Sequence, residues 1–221
     1  PFGEDECVQM GAGAQLVCSF SHHTAAARAT SAEFLVNANE SLAEASAFFR
    51  EASTIIITFG TAWTFRFNAT GEIVSNCLKR DAKEFTRERL SLKTCSVLLN
   101  SLVEKYPQKR FIFTVSPIRH LKDGAHGNQI SKSTLLMAVE SVVENHPDQC
   151  VYFPAYEIMM DELRDYRFYA EDMVHPSQQA VNYIWERFCD FALPETERAT
   201  LEKNRKAFLQ SQHRIITKPQ N

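Results

Sequence analysis

Three short apolar runs, Thr54-Ile-Ile-Ile-Thr-Phe59, Arg110-Phe-Ile-Phe-Thr-Val115 and Cys150-Val-Tyr-Phe153, alternate along the chain with segments whose apolar residues recur every three or four positions. Parallel strands need a crossover to connect them, and a crossover helix must bury its apolar stripe on the sheet it spans. The alternation therefore predicts an α/β fold: three layers, α/β/α, around a central and mostly parallel sheet.

Local signals place the elements. Gln15 to Phe20 reads as a first strand, and Thr30 with Glu33 forms a capping box that opens a helix with Leu35, Ala38, Leu42, Ala45 and Phe49 on one face. Thr54 to Phe59, closed by Gly60, is expected to be buried on both faces in the middle of the sheet. After a turn at Asn68 to Gly71, a helix is expected from about Lys83 to Tyr106, with Cys95, Leu98, Leu99 and Leu102 inward and Pro107 as its stop. Arg110 to Val115 follows as a strand, then Ile118 to Asn128 as a long functional loop, then a helix over 133–145 burying Leu135, Leu136, Val139, Val142 and Val143. Cys150 to Phe153 precedes a short helix ending near Asp165. Pro176 then opens a helix with Val181, Ile184, Trp185 and Phe188 inward. Residues 1–192 are read as one domain and 193–221 as a charged helical tail packed outside it.

With 221 residues, 44% of them hydrophobic, such a chain buries a core without disulfides or a structural metal. A net charge of −3 with dispersed basic residues argues against nucleic acid as the main partner. No apolar run approaches the roughly 18 residues of a transmembrane helix. The six cysteines, at 7, 18, 77, 95, 150 and 189, lack C-x-x-C spacing, so reduced thiols and a cytoplasmic location are expected. No cofactor is expected.

In an open α/β sheet, ligands bind beyond the carboxyl ends of the strands. Asp172-Met-Val-His175 lies just ahead of the last core helix. An aspartate three residues before a histidine can fold back so that its carboxylate accepts the Nδ1 proton, leaving the other nitrogen as a general base. The alternative is a histidine that merely caps the helix. Gly60 and Thr61 follow a strand and can offer N–H groups to an oxyanion, or the glycine simply ends the strand. Trp63 lines an apolar pocket or covers the sheet end. His22 and His23 contact substrate on one reading. A metal site built from them with His126 is the lesser reading, because adjacent residues of a strand point apart and no third ligand stands at a convincing spacing.

Together these stretches resemble the GSCFA family, which is placed among the SGNH/GDSL hydrolases. The resemblance rests on Ser19-Phe-Ser-His-His23, Thr58-Phe-Gly-Thr-Ala-Trp63, Ser75-Asn-Cys77, Thr114-Val-Ser-Pro117, Tyr152-Phe-Pro-Ala-Tyr-Glu157 and Asp172-Met-Val-His175-Pro, in that order over about residues 15–190. It implies a flavodoxin-like hydrolase domain in which Asp172 and His175 are the closing Asp-x-x-His block. Gly60 and Thr61 would stand near the oxyanion block, where Ala62 replaces the usual asparagine, and Asn76 would be a further oxyanion or substrate-binding residue. The Gly-Ser-Cys-Phe-Ala signature, whose serine would be the nucleophile, is absent from the sequence. Two expectations follow: the chain lacks its first strand and serine, or Ser19 takes the nucleophile's place.

The function expected is therefore that of a serine esterase or acyltransferase acting on an O-acyl ester, such as one on a carbohydrate. Its alternative is a catalytically silent module that binds a glycan or a protein partner.

Overall fold

The computed structural model describes residues 1–212, which form two compact units: Pro1–Ser116 with His120–Tyr152, and Pro117–Arg119 with the chain from Phe153 onward. The protein is mixed α/β, with a three-stranded parallel sheet flanked by helices, consistent with α/β/α layering; no closed barrel occurs among the described residues.

In the first unit β1 (Val8–Gln9) pairs antiparallel with β2 (Val17–Cys18), Val8 opposite Cys18. The strand expected over Gln15 to Phe20 is thus shorter, and it stands outside the parallel sheet. It ends where the Ser19 carbonyl accepts the His22 N–H at 3.1 Å and turns the chain. Thr30 caps α1 (Ser31–Glu51), its hydroxyl accepting the Glu33 N–H at 3.2 Å. Phe34 and Ala38, one turn apart, seat this helix against Met10, Cys18 and Leu78. The inward stripe is centred on Phe34 and only Ala38 of the expected set is fully buried; Leu42 and Ala45 are exposed, while Phe49 packs edge-on against Tyr106.

β3 (Thr54–Phe59) is an edge strand, not the centre of the sheet. Ile55, Ile57 and Phe59 face the core, while Thr54, Ile56 and Thr58 are exposed, as alternation on a strand requires. Next comes an antiparallel sheet that was not expected: β4 (Trp63–Phe67) lies between β5 (Ile73–Val74) and β6 (Phe85–Arg89). The helix expected from Lys83 therefore begins only at α2 (Leu92–Lys105), capped by Ser91. Cross-strand pairs explain the difference. Trp63 opposes Arg89, Phe65 opposes Arg87 and Phe67 opposes Phe85, so the charged segment is read out at period two.

β7 (Arg110–Val115) is the central strand, in parallel register with β3 from Thr54 opposite Arg110 to Phe59 opposite Val115. α3 (Gly124–Asn145) begins well before residue 133, so much of the expected loop Ile118 to Asn128 is helical. β8 (Cys150–Phe153) completes the sheet in the order β3-β7-β8. The main core lies between this sheet and α2 with α3: Leu99 and Val103, Phe111 and Phe113, and Ala138, Val139 and Val142. Leu98, expected inward on α2, is 55% exposed; the buried row is Cys95, Leu99 and Val103, a spacing of four.

In the second unit α4 (Ala155–Glu157) runs directly into π-helical turns over Ile158–Leu163. The last helices are α5 (Gln178–Ala192) and α6 (Glu195–Gln212); residues 213–221 of the expected tail lie outside the described residues. Met159, Tyr169 and Ala180 form this unit's core, with Met160, Leu163, Phe168 and Ile184 packed around it. Val181 and Trp185, expected inward, are about half exposed, since α5 turns inward the row through Ala180, which is buried, and Ile184 and Phe188, which are partly so.

Candidate active site

The segment ahead of α5 is a closed turn. Tyr169 and Pro176 form an antiparallel bridge, the Ala170 N–H donates to the His175 carbonyl at 2.8 Å, and the Met173 N–H donates to the Ala170 carbonyl at 2.9 Å. Met173 takes the left-handed conformation at φ 59° to close it. Within the turn the Asp172 carboxylate is fully used on one side. Its Oδ1 accepts the N–H groups of Val174 at 2.9 Å and His175 at 3.0 Å, and its Oδ2 lies 2.5 Å from His175 Nδ1. The backbone donors from His175 and Val174, with the imidazole contact, hold the Asp172 carboxyl down at about 2. An ionised Asp172 selects the tautomer with the proton on Nδ1, which leaves Nε2 as a bare base when the ring is neutral. Both side chains are about half exposed, so the pair is open to solvent and solutes. His175 does not cap α5. That position belongs to Ser177, whose hydroxyl accepts the Ala180 N–H at 3.3 Å.

The other sequence-selected residues lie in the first unit, in three groups. Ser19 is 2% exposed; its hydroxyl lies 2.6 Å from His22 Nδ1 and accepts the Ser21 N–H at 3.2 Å. The His22 ring is wedged edge-on against Phe2 and Phe34. His23 is exposed and caps the short turn Thr24–Ala26, with Nδ1 accepting the Ala25 N–H. Asn76 joins the Ser19 turn from another loop: the N–H groups of Ser75 and Asn76 both donate to the Phe20 carbonyl, and Asn76 Oδ1 accepts the Leu78 N–H at 2.8 Å.

Gly60 and Thr61 form the second group, and here the structure supplies residues that the sequence reading missed. Ser131 and Lys132 of α3 are both buried. Lys132 Nζ donates to the carbonyls of Gly60 at 2.6 Å and Ser116 at 2.5 Å, bridging the chain just beyond β3 and β7. Desolvation pulls this ammonium down to about 8. His120 Nε2 also reaches the Gly60 carbonyl at 3.2 Å, and burial, then the charge of Lys132, lowers its pKa. Ser131 Oγ accepts the Ala62 N–H at 2.8 Å and lies 3.0 Å from the Thr61 hydroxyl. Ala62 is 2% exposed, so the position of the expected asparagine is packed inside the unit. A lone lysine and serine on a helix carry no motif; only their contacts mark them.

Trp63 is the third. Its ring lies under the Arg87 guanidinium at 4.2 Å, and Arg87 pairs with the buried Asp123. Its indole Nε1 and Asp123 Oδ2 are buried without a hydrogen-bond partner. His126 is exposed on α3, and among the described residues no three His, Cys, Asp or Glu side chains gather as a metal site would need. All six cysteines are unpaired.

The model of the GSCFA family matches residues 3–188. The chain belongs to the GSCFA family. That match takes in the Ser19 turn, the Gly60 segment and the Asp172–His175 turn alike. No curated protein and no solved structure is significantly similar to the chain. Within this GSCFA chain the Asp172–His175 pair joins an imidazole Nδ1 to a carboxylate oxygen at 2.5 Å. No helix among the described residues is long and apolar enough to cross a membrane.

Proposed function

We propose that this GSCFA protein hydrolyses or transfers the acyl group of an O-acyl ester, with His175 as general base and Asp172 as its orienting carboxylate, in the manner of SGNH hydrolases. A carbohydrate ester suits this reading as substrate. The observation that carries it is the 2.5 Å contact between His175 Nδ1 and Asp172 Oδ2 in a turn that leaves both side chains partly open to solvent. His175 Nε2 takes the proton of a serine hydroxyl as that oxygen attacks the ester carbonyl, then returns it to the leaving alcohol. Gly60 and Thr61 as oxyanion donors, and Trp63, Asn76, His22 and His23 as substrate contacts, are roles proposed from the sequence alone.

Ser19 is the nucleophile candidate within the described residues. Its burial and its bond to His22 favour a second reading, a non-catalytic module that binds a glycan or a protein partner. Fluorophosphonate labelling followed by peptide mapping separates the two. Label on a serine that is lost in His175→Ala supports the hydrolase. Turnover of p-nitrophenyl acetate that is equal in wild type and His175→Ala overturns it, whichever residue is labelled.

A further inference from the structure

A cleft of about 180 Å³ opens in the second unit beside the Asp172–His175 turn, lined by Arg119, Met159, Met160, Arg164, Asp165 and the two tyrosines Tyr166 and Tyr169. Its charge is unbalanced. Among the described residues neither Arg119 nor Arg164 is ion-paired with a carboxylate, whereas Asp165 is turned to its own chain. There its Oδ1 accepts the Arg167 N–H at 2.9 Å, and its Oδ2 stands 3.8 Å from the Arg167 guanidinium.

The Arg119 side chain and the Arg164 backbone are each held in place, by different means. The Arg119 guanidinium stacks 3.8 Å over the ring of Tyr169, which is 8% exposed. Tyr166 covers the same group from 5.7 Å. Stacking uses the face of a guanidinium and leaves its in-plane N–H fork for a planar oxyanion. Arg164 sits where the π-helical turns end, in the left-handed conformation at φ 47°, with its N–H donating to the Met159 carbonyl at 3.2 Å. A non-glycine residue seldom adopts this conformation, and it persists where the surroundings fix it.

The cleft is tied to the proposed base through the backbone. The Arg119 N–H donates to the Val174 carbonyl at 3.2 Å, and Tyr169 bridges Pro176, so two of its walls are bonded to the residues on either side of His175. Its volume is well below the roughly 300–1,000 Å³ of a site for a whole drug-sized ligand. It suits one end of a substrate.

We infer that Arg119 and Arg164 form an anion subsite that binds a carboxylate or phosphate group carried by the substrate whose ester meets His175. The inference rests on the esterase reading for the word substrate, but anion binding is measurable without turnover. Isothermal titration with succinate and, separately, with inorganic phosphate is the first arm. Wild type is expected to bind one or both; Arg119→Gln and Arg164→Gln each weaken binding at least tenfold, and Arg119→Lys recovers part of the loss. A preference for succinate assigns a carboxylate, and one for inorganic phosphate a phosphate group. In the second arm, the ratio of kcat/KM for p-nitrophenyl hemisuccinate over p-nitrophenyl acetate falls at least tenfold in either glutamine variant.

His175→Ala separates the two ideas, since it removes turnover and leaves succinate or phosphate bound. Arg164 is exposed, so its variant tests the subsite even where Arg119→Gln disturbs the fold. Absence of anion binding in wild type, or binding unchanged in both glutamine variants, overturns the subsite and leaves the esterase reading standing or falling on its own test.

Discussion

His175 Nδ1 lies 2.5 Å from the carboxylate of Asp172, three residues earlier, and the same carboxylate accepts the N–H groups of Val174 and His175. One side chain thus both builds the turn and sets the tautomer of the ring. The two roles can be separated by mutation.

Asp172→Asn keeps an oxygen for the two backbone donors but presents an amide N–H to the imidazole. The ring must then accept at Nδ1 and carry its proton on Nε2, the wrong tautomer for a base. The expected result is a fall in kcat of about a hundred- to ten-thousand-fold. The far-ultraviolet circular dichroism spectrum is expected to stay that of the wild type. A matching loss from Asp172→Ala with an altered spectrum would point to the turn rather than the tautomer.

Acid titration reads the same pair. The Asp172 carboxyl is held below its ordinary 3.8, at about 2. A lowered carboxyl pKa contributes stability that is fully present above the unfolded value and is lost as pH falls through the folded one. Wild type and Asp172→Asn should therefore converge in stability between about pH 4 and pH 2, with a constant difference above. Carboxyl carbon shifts followed by NMR would place the Asp172 midpoint directly; a midpoint near 3.8 would remove the argument.

Lys132 gives an alkaline counterpart of opposite chemistry. Burial lowers its folded-state pKa to about 8 from 10.5, so between those values the unfolded chain binds more protons than the folded one. Stability then rises with pH in that window relative to a Lys132→Met variant. Urea unfolding midpoints of the two proteins from pH 7.5 to 10.5 measure the slope of the difference. A flat difference would mean that the ammonium stays charged throughout.

Gly11 tests packing in the first unit. A Cβ there would stand 2.2 Å from the Lys79 carbonyl oxygen and 2.5 Å from the Arg80 Cα, both backbone atoms. Leu78 and Lys79 already hold positive φ, and the Gly11 N–H donates to the Leu78 carbonyl at 3.0 Å, so the neighbour has little room to withdraw. Gly11→Ala is expected to cost more than about 2 kcal/mol, within the range of severe overpacking, by chemical denaturation. Gly13, with nothing within 4 Å of the added carbon, should suffer from its φ of +71° alone.

What the sequence determined by itself is what short stretches of chain can close. The Asp172–His175 turn, the cap at Thr30, and the existence of strands at Thr54, Arg110 and Cys150 all follow from residues within a few positions of one another. Their hydrogen bonds form as soon as the local backbone does, so motif and periodicity suffice to name them.

Tertiary structure decided the rest. It put β7 rather than β3 at the centre of the sheet, although both are apolar runs of equal length. The charged segment after Lys83 became a strand because Phe85, Arg87 and Arg89 found partners on β4. It brought Lys132 to the Gly60 carbonyl from 72 residues away, and Arg119 onto the ring of Tyr169. Each of these contacts is favourable only after a long loop has closed, and which loop closes depends on the packing free energy of the whole unit rather than on any window of its sequence.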